Sequence, residues 1–104
     1  MFRLLFAGSI QECARALAGD IARRYPAAIA NSPEPLVSQR RRSEILETVF
    51  LQARQFSQEH RLGVIGQIRL GGALKWQLKE MGYDEEFIDM AAEHLAASVA
   101  REPT

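Results

Sequence analysis

A chain of 104 residues with 47% hydrophobic and 25% charged content has the size and balance of one globular domain, able to bury roughly two-thirds of the surface its unfolded form exposes. Its 13 basic and 13 acidic side chains cancel, which excludes bulk electrostatic attraction to nucleic acid or anionic lipid as a driving force. The cancellation is uneven: residues 1–61 carry nine Lys/Arg against six Asp/Glu, and residues 62–104 carry four against seven, a split that is satisfied within the fold or between copies of the chain.

Residues 2–7 are apolar except for Arg3 and read either as a short strand, from the alternation of Phe2, Leu4 and Phe6, or as a packed N-terminal arm. Ser9 with Glu12 forms a capping box. Behind it Ile10, Cys13, Ala14, Leu17, Ala18, Ile21, Ala22 and Tyr25 share one face, which predicts a helix over 10–24 that Pro26 stops. Cys13, the only cysteine, lies inside that stripe. It reads as a buried structural thiol with no partner for a disulfide, in keeping with a reducing compartment. Residues 26–35 hold three prolines with Asn31 and Ser32 and are expected to be a Pro-rich internal loop.

A second helix is predicted over 36–60, its stripe built from Ile45, Leu46, Val49, Phe50, Ala53 and Phe56. Leu51 falls off that stripe. Arg40, Arg41 and Arg42 stand near its start, where cations oppose the helix dipole, so they are the one basic cluster with a claim to function. Glu44 and Glu47 one turn on partly offset them.

Residues 62–70 carry two patterns. Leu62, Val64, Ile68 and Leu70 alternate as a strand would, and a strand here, paired with residues 2–7, makes the fold α+β. Ile65, Ile68 and Gly72 suit a helix, and a helix over 64–81 is the preferred reading because Leu70, Leu74, Leu78 and Met81 continue it strongly. Gly71 and Gly72 then cost roughly 1 kcal/mol each relative to alanine, a cost that makes sense where something approaches the backbone closely. Gly82 sits where a left-handed residue ends a helix, with Tyr83 opposite Leu78 as in a Schellman turn. Asp84 follows as N-cap, accepting from the orphan N–H groups, and Tyr83 with Ile88 forms a hydrophobic staple. Phe87, Ile88, Ala91, Ala92, Leu95 and Val99 complete a last helix over 84–100. Residues 101–104 are expected to fray.

Met81-Gly82-Tyr83 resembles the loop after the first helix of ubiquitin-associated domains. That fold needs two further short helices, and residues 84–100 contain no Gly or Pro to part them. The same corner is similar to a helix-turn-helix, but Asp84, Glu85, Glu86 and Asp89 would meet the phosphates, and like charges repel.

The expectation is therefore an all-α, four-helix bundle-like single domain. No segment has the ~18 apolar residues of a membrane span. His60 and His94 lack metal-ligand spacing, no Gly-rich phosphate loop is present, and no paired carboxylates stand out. No catalytic, cofactor or metal residues are assigned. The reading is a non-enzymatic, cytoplasmic helical module for protein interaction or homo-oligomerisation, with Arg40, Arg41, Arg42, Trp76 and Leu51 as candidate contact residues. The alternative is nucleic-acid binding through Arg40–Arg42 with Arg23 and Arg24. Membrane association through Phe2, Leu4, Leu5 and Phe6 is a third.

Overall fold

The computed structural model describes residues 10–100. In chain order they form α1 (Ile10–Arg24), α2 (Ala27–Ala30), α3 (Gln39–His60), α4 (Gly63–Glu80) and α5 (Glu85–Ala100). The fold is an all-α bundle, with no strand among the described residues. The alternative strand over 62–70 is overturned: Gly63 onward is helix, because the buried stripe Leu70, Ala73, Leu74 and Leu78 is satisfied only at helical spacing. Residues 2–7 and the Ser9 half of the capping box lie outside the described residues.

Four long helices surround the core. α1 packs against α3 and α4, and α5 packs against the same two helices from the opposite side. α1 and α4 both run toward the corner at Gly82, since Tyr25 just past the end of α1 accepts a hydrogen bond from the Tyr83 hydroxyl at 2.7 Å. α5 leaves that corner, and α3 ends beside the start of α4 at the far end. Leu17, Ile21, Leu46, Val49, Phe50, Leu70, Leu74, Leu78 and Leu95 are fully enclosed. At about 1.5–3 kcal/mol for each large side chain, their burial is the main term offsetting chain entropy.

The turn between α4 and α5 forms as the residues dictate. Gly82 adopts φ +94°, its N–H donates to the Lys79 carbonyl at 3.0 Å, and the Tyr83 N–H donates to the Leu78 carbonyl at 3.1 Å. This pair of bonds defines a Schellman turn. Tyr83 and Ile88 are both buried, while the Tyr83 ring stacks on Phe87 with centroids 4.9 Å apart. One expectation is corrected. The Asp84 carbonyl accepts from Ile88 at 3.0 Å, but among the described residues its carboxylate makes no hydrogen bond. The Asp84 N–H instead donates to Asn31 Oδ1 at 3.0 Å, and Asn31 Nδ2 donates to the Gly82 carbonyl at 2.8 Å. Asn31 thus ties the corner to the loop after α1 from both sides.

The loop over 26–35 also differs from expectation, since it contains the single turn α2. Pro26 at the N-cap position supplies the carbonyl that the Ala30 N–H reaches at 2.9 Å, which a fixed proline φ favours. α3 begins at Gln39, three residues later than predicted, because Ser38 is the true N-cap. Its Oγ accepts from the Arg41 N–H at 3.0 Å. α3 ends on a second Schellman pair, Arg61 N–H to Gln58 and Leu62 N–H to Ser57, with Arg61 in the left-handed region at φ 48° where glycine is usual.

Candidate partner-binding surface

The candidate contact residues fall on separate surfaces. Arg40 and Arg41 both reach Glu44, at 3.7 Å and 3.4 Å, as spacing of three and four on an exposed helix allows. Arg42 is half-buried, and its Nε makes no hydrogen bond. Arg23 and Arg24 end α1 at the end of the bundle where α3 begins, but both are engaged by Asp20. Asp20 is almost fully buried. Its Oδ1 takes Arg23 Nη2 and, at 3.1 Å, Arg24 Nε, while Oδ2 takes Gln52 Nε2 of α3 at 2.8 Å. A carboxylate with three donors is stable out of water. Local spacing does not reveal it, because Asp20 stands beside Ile21 on the apolar edge and its third donor, Gln52, comes from another helix. These pairings leave a basic end whose charge is largely satisfied internally.

Leu51 and Trp76 are each 58% exposed but belong to different grooves. Leu51 lines a shallow groove of about 190 Å³ between α3 and α5, beside Glu47, Arg54 and Ser98. Trp76 lines a larger one of about 370 Å³ between α4 and α5, with Gly72, Lys75, Lys79, Glu85, Ile88 and Asp89. Lys75 bridges to Asp89 there at 3.4 Å.

The residues around Trp76 make up the most apolar exposed surface described. Val64, Ile65 and Ile68 in the first turns of α4 expose 72%, 72% and 68% of their area. Ile65, Ile68, Gly72, Trp76 and Lys79 follow one another at steps of three and four, so they form one stripe down the outside of α4. The buried stripe of Leu70, Leu74 and Leu78 lies on the other side of the same helix. α4 therefore carries two apolar faces, and only one of them is buried among the described residues. The expectation that Ile65 and Ile68 lie on a helix holds, but on its outer face. The signal in the sequence was the excess of apolar positions over 62–76, too many for a single core-facing stripe. At Gly71 and Gly72 an added Cβ would meet nothing within 4 Å among the described residues, so none of these accounts for the two glycines.

Chemistry of other kinds is sparse here. Burial raises the Cys13 thiol to about 12, which keeps it protonated and unreactive. His60 stacks on Phe56 at 4.4 Å, and its Nδ1 donates to the Phe56 carbonyl at 3.1 Å. Among the described residues no three His, Cys, Asp or Glu side chains gather as a metal site, and no described helix is long and apolar enough to cross a membrane. Comparison of the chain with protein-family models, curated proteins and solved structures finds no match.

Proposed function

We propose that this chain is a non-enzymatic helical module for protein interaction or oligomerisation, and that the outer face of α4 is its docking surface. The observation that carries the reading is the exposure of Val64, Ile65 and Ile68 within two turns, continued by Trp76. Monomeric proteins rarely leave bulky aliphatic side chains contiguous and open to water, and tryptophan beside them is the residue most often found at the energetic centre of an interface. Arg40–Arg42 and Leu51 lie apart from this surface and are secondary candidates. A single buried cysteine suits a reducing compartment such as the cytoplasm.

The alternative, nucleic-acid contact through Arg40–Arg42, has against it the ion pairs that already engage Arg40 and Arg41. If it holds, binding to DNA or RNA weakens steeply with salt and falls when the three arginines become alanine.

Site-specific photo-crosslinking tests the main reading. A benzophenone side chain replacing Ile68 should give a discrete adduct in cells, either of twice the chain's mass or with a heavier partner. The same group replacing Gln55, on the exposed polar side of α3, should give none. No adduct at position 68, or equal adducts at both positions, refutes the docking surface.

A further inference from the structure

We draw no further inference here: the strongest candidate, the apolar outer face of α4 at Val64, Ile65, Ile68 and Trp76, is bordered by Lys75 and Lys79 but equally by Glu85 and Asp89, so its charge selects no occupant and nothing in the structure shows what covers it.

Discussion

Replacing Tyr83 by phenylalanine isolates one hydroxyl at the joint that holds three segments together. The ring of Tyr83 stacks on Phe87 at 4.9 Å, Phe87 meets Tyr25 at 5.4 Å, and phenylalanine keeps those contacts. What it loses is the buried bond to the Tyr25 carbonyl at 2.7 Å. A net hydrogen bond contributes about 0.5–1.5 kcal/mol, and leaving a buried acceptor unmade adds to the cost. Together these give an expected loss of about 1.5 kcal/mol at neutral pH, or roughly 6–12 °C in Tm for a domain of this size. The same variant makes a second, independent prediction. Burial, and then the charge of Tyr25, raises the Tyr83 phenol from 10.0 to about 12. The unfolded chain therefore releases this proton first, and the folded state binds more protons between those values. The stabilisation is complete below pH 10 and is lost as pH climbs toward 12, at no more than about 1.4 kcal/mol per pH unit. Urea titrations of both proteins from pH 7 to 12 should show the wild-type advantage hold to pH 10 and then shrink. An advantage below about 0.3 kcal/mol at pH 7, or one that persists undiminished to pH 12, refutes the reasoning.

Other substitutions probe the same architecture. Asn31→Ala removes both bonds that fasten the α4–α5 corner and should cost about 1–2 kcal/mol in urea unfolding. Asn31→Asp should not rescue it, because a carboxylate cannot donate to the Gly82 carbonyl and brings like charge toward Asp84. Arg61→Gly should stabilise by about 0.5–1 kcal/mol, since Arg61 holds φ 48° at a cost glycine avoids, and a lowered urea midpoint would count against this. Gly82→Ala, at φ +94°, should cost about 1–2 kcal/mol for the converse reason. Cys13, buried and with its thiol raised to about 12, should react with a thiol reagent at pH 8 on the order of 10³ times more slowly in the native protein than in denaturant. Fast native reaction would show that the core does not enclose it.

Local pattern went far in this chain because its helices announce themselves by spacing and its stops by residue type. The limits of α1 at Arg24, before Pro26, and the Schellman turn at Gly82 follow from the residues within one turn of each. So does the core stripe of α4, once helical spacing is preferred to alternation over 62–70. Apolar periodicity was less informative where a helix has more than one greasy face. Ile65 and Ile68 satisfy the same spacing whether they point inward or outward, and a hydropathy pattern has no means of saying which stripe wins the core.

Only the packing of α1 and α5 on α4 decides that Leu70, Leu74 and Leu78 go inside and leave Ile65, Ile68 and Trp76 to water. Contacts between residues far apart in the chain were equally out of reach. Asn31 meets Gly82 and Asp84 across some fifty residues, and Asp20 gains Gln52 from another helix. A side chain's own neighbours in sequence set its backbone, which is why the helices and turns were legible. Its burial, its charge partners and its freedom to meet another molecule depend on which helices lie beside it, and that is settled by the whole core forming at once.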